Sequence, residues 1–171
     1  MQDDQKQAIR YAYLAGLLDG EGCFRIDRQL TPGVKKQGCK NPRYNASISI
    51  HMTTREPLDF FRSIFPKGHM AYEGVREKRP NQRPTYCWRA RNRETVMEII
   101  EKLLPYLLVK HNHAKILYEF CLGHVDGRNY KNGMPEHELQ RREELYQKVK
   151  KLNAVGAAAT TKPDRLEREK L

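Results

Sequence analysis

The run YNASISIHMT, residues 44–53, alternates between apolar and polar side chains: Ala46, Ile48, Ile50 and Met52 fall on one side, and Asn45, Ser47, Ser49, His51 and Thr53 on the other. A period of two describes a strand with one buried and one wet face, because a one-residue slip would turn every apolar side chain to solvent. Such a face must be covered, so the run commits the chain to a layered domain. CFRIDRQ behaves alike, with Phe24 and Ile26 inward and Arg25, Asp27 and Gln29 outward. So does TYCWRAR, with Tyr86, Trp88 and Ala90 inward and Thr85, Cys87, Arg89 and Arg91 outward. HMAYEGVR, which carries Tyr72 and Arg76, reads as a further strand.

Between these runs the period changes to that of a helix. Asp3 or Asp4 can cap a helix through QKQAIRYAYLAGLL that ends where Gly20 and Gly22 make continuation costly. Thr54 and Pro57 start a second, carrying Leu58, Phe61, Ile64 and Phe65. Asn92 caps a third with Val96, Ile99, Ile100, Leu103 and Leu104, which Pro105 stops. Further helices are expected over 114–122 and 138–152, and TPGVKKQGCKNPR, ending at Arg43, is a loop by its Gly, Pro and Lys content. The 171 residues suffice for one core and are short for two. The expected fold is therefore a single α+β domain over 1–171: an α-β-β-α-β-β-α core at about 5–125, a C-terminal helical extension at about 135–171, and an antiparallel four-stranded sheet whose inward face is covered by helices.

Lys and Arg number 32 against 21 Asp and Glu, a net charge of +11 spread along the whole chain. That balance favours a polyanion partner, although by itself it equally fits a protein kept soluble by charge. The outward sheet side chains, Arg25, Asp27, Gln29, Asn45, Ser47, Ser49, His51, Thr53, Thr85, Arg89 and Arg91, are donors and acceptors of medium length suited to base edges in the major groove of double-stranded DNA, with an ordinary wet sheet face as the alternative. Single-stranded RNA readers place stacking aromatics there, and the first, second and fourth strands have none. Cys23, Cys39, Cys87 and Cys121 form no C-x-x-C pair and no linear metal-ligand spacing, and read as free thiols in a reducing compartment. No apolar run reaches the roughly 18 residues that span a bilayer, and MQDDQKQ is no signal sequence. A soluble intracellular protein without a membrane partner is expected, in cytoplasm or organelle matrix.

The first helix has two unlike faces. Ala8, Ala12 and Gly16, with Ala15 beside them, form a small-residue face that lets another backbone approach; Ile9, Tyr13 and Leu17 form a bulky row expected against the chain's own core. It ends in two carboxylates, Asp19 and Glu21, among glycines. The run LAGLLDGEG at 14–22 resembles the signature of the LAGLIDADG homing endonucleases, identical at six of nine positions with three mild changes. The resemblance implies signature helices packed about a two-fold axis, with Ala8, Ala12, Ala15, Gly16 and Asp19 at the interface. Glu21 would be the metal-binding acid, joined by the Gly20 carbonyl. Two carboxylates forced together repel unless a cation lies between them, and hard oxygen donors suit Mg²⁺.

The likeness extends to LLPYLLVKHNHAKILYEF, where Lys110 matches a lysine brought toward the scissile phosphate, and to VKKLNAVGAAATTKPDRLE, whose Thr161 and Lys162 fall among small polar and basic residues at the centre of the site. Arg43, Tyr72 and Arg76 are placed in the same expected DNA-binding set. One departure is that a glutamine often positions water after the second strand, whereas this chain reads His51, Met52, Thr53, Thr54. CLGHVDGRN faintly echoes the signature, but Arg128 stands where the acid should be. One motif therefore implies a homodimer cutting a pseudo-palindromic DNA target. The consecutive His111, Asn112 and His113 do not make an HNH nuclease, whose residues are dispersed around one metal. An RNA-splicing maturase, with RNA as a partner, or a cleavage-inactive DNA-binding regulator on the same scaffold remains the alternative.

Overall fold

The computed structural model describes residues 2–29, 42–74, 83–123 and 134–159. Its elements run α1 (Gln2–Glu21), β1 (Gly22–Gln29), β2 (Arg43–Met52), α2 (Glu56–Ile64), β3 (His69–Glu73), β4 (Thr85–Ala90), α3 (Arg93–Leu103), a 3₁₀ turn (Leu104–Tyr106), α4 (His111–Leu122) and α5 (Glu136–Ala159). Four strands form one antiparallel sheet in the order β1-β2-β4-β3, so the fold is α+β as the alternating runs require. None of the described helices is long and apolar enough to cross a membrane.

The register follows the alternation. Phe24 pairs with Ile48 and Ile26 with Ala46 across β1 and β2, while Ile48 meets Ala90 and Ile50 meets Trp88 across β2 and β4. All are buried on one face, under Leu14, Ala15 and Leu18 of α1, Leu58 and Phe61 of α2, Val96, Ile99, Ile100 and Leu103 of α3, and Ala114, Leu117 and Phe120 of α4. Asn92 caps α3 by accepting from the Glu94 and Thr95 amides at 2.8 and 3.3 Å. Pro105 falls in the 3₁₀ turn that ends α3. α5 lies along β1 and α4, buries Leu145 and Val149, and donates from Asn153 Nδ2 to the Phe24 carbonyl at 3.1 Å. Tyr44 donates to Glu143, which also pairs with Arg28 at 3.3 Å; burial, then the Glu143 carboxylate, pushes the Tyr44 hydroxyl up to about 12.

Three expectations change. α1 runs through Gly20 to Glu21, and the strand begins at the next residue. A Cβ at Gly22 would lie 2.5 Å from the Leu18 carbonyl oxygen, so glycine is what lets the chain leave the helix without a linker. The faces of α1 also differ from the small-versus-bulky reading: Leu14, Ala15 and Leu18 are fully buried, whereas Ile9 and Tyr13 are 63% and 52% exposed. The stripe through Tyr11, Leu14, Ala15 and Leu18 carries the larger apolar surface toward the sheet and turns Ile9, Ala12, Tyr13 and Gly16 outward. Ala15 therefore has no surface to offer a partner helix, and its placement in an interface is corrected. Finally, α4 and α5 start earlier than expected, α4 being preceded by Lys110 as its N-cap residue.

Trp88 is the largest buried side chain, 4.6 Å between ring centroids from Phe61. A Cβ at Gly68 would lie 2.0 Å from Cζ2 of its indole ring. Gly68→Ala should therefore cost about 1–3 kcal/mol by overpacking, seen as a lower urea midpoint with an unchanged slope.

Candidate active site

The site is built where α1 ends and α4 begins. Asp19, in the last turn of α1, accepts the Leu108 amide on one carboxylate oxygen and the Lys110 amide on the other, both at 2.8 Å. Lys110 returns the contact: its Nζ donates to the Leu18 carbonyl at 2.9 Å and to the Gly22 carbonyl. An acid of α1 thus satisfies two amides in the segment leading into α4, and Lys110, the N-cap residue of α4, satisfies carbonyls in the last turn of α1, which has no basic residue of its own, and at the first residue of β1. Burial lowers the Lys110 pKa, against the attraction of Cys23, Asp19 and Glu21. Burial, then the Lys110 charge, lowers the pKa of His113 in the first turn of α4, against a hydrogen bond with the Leu152 backbone.

Glu21 projects into solvent at the end of α1, and Gly20 beside it meets no atom within 4 Å of an added Cβ. A carboxylate at a helix C-terminus lies at the negative end of the helix dipole, an arrangement that favours a cation. Its donor set, carboxylate oxygens and terminal peptide carbonyls, fits a hard divalent ion better than a soft one. Gly16 also has open space around its Cβ position, and Ala12 is exposed on the same face. Leu108 and Val109, beside the amides held by Asp19, are 87% and 72% exposed. Sequence reasoning missed these two, which look like ordinary members of an apolar run.

Glu21 lies where the sheet's outward face begins. There the pairs Arg25–Ser47, Asp27–Asn45 and Gln29–Arg43 join β1 to β2, Ser49–Arg89 and His51–Cys87 join β2 to β4, and His69–Arg89 and Glu73–Thr85 join β3 to β4. The expected outward residues of three strands thus share one face, with Thr53 and Arg91 exposed just beyond β2 and β4. Two corrections apply. Ser47 and Ser49 are buried: Ser47 donates to Asp27 at 3.2 Å, and both form the floor beneath longer neighbours on flanking strands, instead of reaching a ligand themselves. Tyr72 pairs with Tyr86, ring centroids 5.3 Å apart, on the side of the sheet that carries Trp88. It is on the face opposite Arg89, because β3 turns His69, Ala71 and Glu73 outward. No aromatic therefore stands on the outward face of any of the four strands. Arg76, Thr161 and Lys162 lie outside the described residues.

Residues 14–121 match the family model described as LAGLIDADG endonuclease. The chain belongs to the LAGLIDADG endonuclease family. Its fold is similar to that of the homing endonuclease I-CvuI in complex with its target in the presence of calcium, at a TM-score of 0.67 and 19% identity over 86% of this chain and 83% of that one. It is similar also to the archaeal intron-encoded homing endonuclease I-Vdi141I complexed with DNA, at a TM-score of 0.66 and 18% identity over 84% of each chain. Comparison with curated protein sequences gives no match. Within the LAGLIDADG frame, the signature spans the end of α1 and the first residue of β1, and Glu21 is its exposed acid.

The exchange between Asp19 and Lys110 gives the site its rigidity. Asp19→Asn keeps the shape but offers one acceptor oxygen for two amides, and hydrogen bonds to a charged acceptor are worth about 1.5–3 kcal/mol each. The variant should lose about that much stability in urea denaturation, and the Leu108 and Lys110 amides should exchange hydrogen faster, while amides in the middle of β2 change only with global stability.

Proposed function

We propose that the protein is a site-specific DNA endonuclease that acts as a homodimer and makes a double-strand break in a pseudo-palindromic target. The observation that carries this reading is the exposed Glu21 at the end of a helix whose free face, Ala12, Gly16 and Gly20, is nearly flat. A second copy can approach that face closely, and two-fold symmetry would then bring two Glu21 carboxylates together. Ile9, Tyr13, Leu108 and Val109 add apolar surface that a partner would cover. Ala8, half-buried, sits at the margin of this face. Asp19 serves the interface indirectly, by fixing the loop that bears Leu108 and Val109.

Glu21 and the Gly20 carbonyl would hold divalent metal, Mg²⁺ in this reading. Bound there, such an ion supplies Lewis-acid stabilisation and a water of lowered pKa for phosphodiester hydrolysis. The chain's own groups do the rest. Lys110 brings a positive charge anchored at two carbonyls, so it need not reorganise as charge develops on the phosphate. The sheet positions the duplex: Arg25, Arg89 and Arg91 offer forked donors for guanine, Asn45 and Gln29 offer amides for adenine, and Asp27 and His51 complete the set. Arg43, Thr53 and Thr85 stand at its ends, where backbone contacts are expected. The net charge of +11 supplies the sequence-independent attraction. An aromatic-free reading face favours a duplex over a stacked single strand.

Glu21→Gln should abolish cleavage of a target duplex in Mg²⁺ while leaving gel-shift affinity within a few fold; a variant that still cuts at the wild-type rate would remove Glu21 from the chemistry. Gly16→Leu tests assembly separately, because nothing crowds that position within the chain and leucine favours helix. It should keep the wild-type circular-dichroism spectrum and a cooperative unfolding transition yet sediment as a monomer and fail to cut both strands, where the wild type sediments as a dimer. A Gly16→Leu protein that remains dimeric would move the interface off this face of α1.

A further inference from the structure

On the outward face of the sheet, Cys87 of β4 is flanked by His51 of β2 and by Glu73 of β3. His51 pairs directly across from Cys87, with Nε2 3.5 Å from Sγ, and Glu73 pairs with Thr85, two residues along β4. The imidazole nitrogen, the sulfur and a carboxylate oxygen all lie within 4.8 Å of one another. Cys87 is buried and the other two are half-buried, so the cluster is partly shielded from water.

Ligand geometry makes this arrangement specific. Zinc–sulfur and zinc–nitrogen bonds of about 2.3 and 2.0–2.1 Å at a tetrahedral angle place the two donor atoms roughly 3.6 Å apart. The observed separation of 3.5 Å, which in the metal-free protein is a thiol–imidazole hydrogen bond, already fits two ligands on one ion. A carboxylate oxygen has to close by only about an ångström to reach the third position at a similar spacing. Thiolate, imidazole and carboxylate form a mixed soft and borderline set, unlike the hard oxygen donors around Glu21. A thiolate and a carboxylate also carry two negative charges, which one divalent ion balances inside a face otherwise dominated by Arg25 and Arg89.

We propose that Cys87, His51 and Glu73 form a second metal site, selective for a thiophilic divalent cation such as Zn²⁺, with the fourth position open to water. Binding converts the Cys87 thiol to a thiolate, its proton passing to solvent, and forms the metal–sulfur bond. Burial pushes the Cys87 thiol up, with Arg89 pulling the other way, so the ion and not the surroundings drives that deprotonation. The bound ion ties β2, β4 and the edge strand β3 together and engages the His51 nitrogen that would otherwise face the DNA. The site's donor set differs from the one proposed at Glu21, although Ile50, next to His51, pairs with Gly22, and its test does not depend on cleavage.

The test uses the full chain, reduced and freed of metal by a chelator. Zn²⁺ should bind with a stoichiometry of one per chain in equilibrium dialysis, and Co²⁺ should give a near-ultraviolet thiolate-to-metal charge-transfer band displaced by Zn²⁺. Cys87→Ser should abolish the band, and Cys121→Ser should leave it intact. His51→Gln should weaken Zn²⁺ binding by more than tenfold, since loss of an outer-shell partner alone costs about 10–100-fold. Serine at 87 joins Ser47 and Ser49 on the same face and should fold; if circular dichroism shows otherwise, the His51 variant decides alone. A folded protein without a charge-transfer band, a band that survives Cys87→Ser, or unchanged affinity in His51→Gln would reduce the cluster to a thiol–imidazole hydrogen bond and overturn the assignment.

Discussion

The exchange of partners between Asp19 and Lys110 holds the functional end of the molecule in place. A helix C-terminus and the start of another helix meet there, each with backbone groups that its own ladder cannot satisfy. Asp19 takes two amides and Lys110 takes two carbonyls, so each end supplies what the other lacks. The two side chains are not a salt bridge in the ordinary sense, since each charge is spent on backbone groups, Asp19 on amides ahead of α4 and Lys110 on the Leu18 and Gly22 carbonyls. Charge-assisted bonds of this kind are stronger than neutral ones, and here they join positions 91 residues apart in sequence. Glu21 takes no part in this exchange of hydrogen bonds and stands exposed two residues beyond Asp19.

Much of the fold could be read from the chain because the strands state their period openly. The alternation in β1, β2 and β4 is long enough to give the two faces of each strand, and the Asn92 cap and the proline in the first turn of α2 mark helix starts by local chemistry alone. β3 is five residues long and mixes small, aromatic and charged side chains, so no phase can be read for it from the sequence, and only the register shows that Tyr72 faces away from Arg89. α1 was misread for another reason: with alanine, glycine and tyrosine around the whole cylinder, side-chain size did not tell which stripe would be buried, and tertiary contact with the sheet decided.

The candidate site divides in the same way. Glu21, Gly20 and Lys110 stood out by resemblance to a signature, and local chemistry made the acidic helix end odd enough to notice. The capping exchange was hidden, because nothing in the linear sequence pairs residue 19 with 108 and 110. The His51–Cys87–Glu73 cluster was hidden more deeply: cysteine spacing along the chain argued against a metal site, whereas cross-strand pairing brings together residues 36 positions apart. Ser47 and Ser49 show the converse limit, since alternation gives a side chain's direction and not how far its neighbours overshadow it.

Gly22 bears on how such a molecule could change its target. With the Leu18 carbonyl packed against it, the backbone passes from α1 into β1 with no intervening residue and no room for a side chain. A joint without slack behaves as a rigid elbow, so the strand carrying Arg25 and Asp27 and the helix carrying Gly16 are one lever. A substitution on β1 that tilts the strand to suit a new base must also tilt α1, and with it the spacing of the two acids in the proposed dimer. Changes on β4, which reaches α1 only through β2 and the core, escape that linkage. New specificities should therefore accumulate on the half of the sheet away from the elbow, where recognition can drift without detuning the cut.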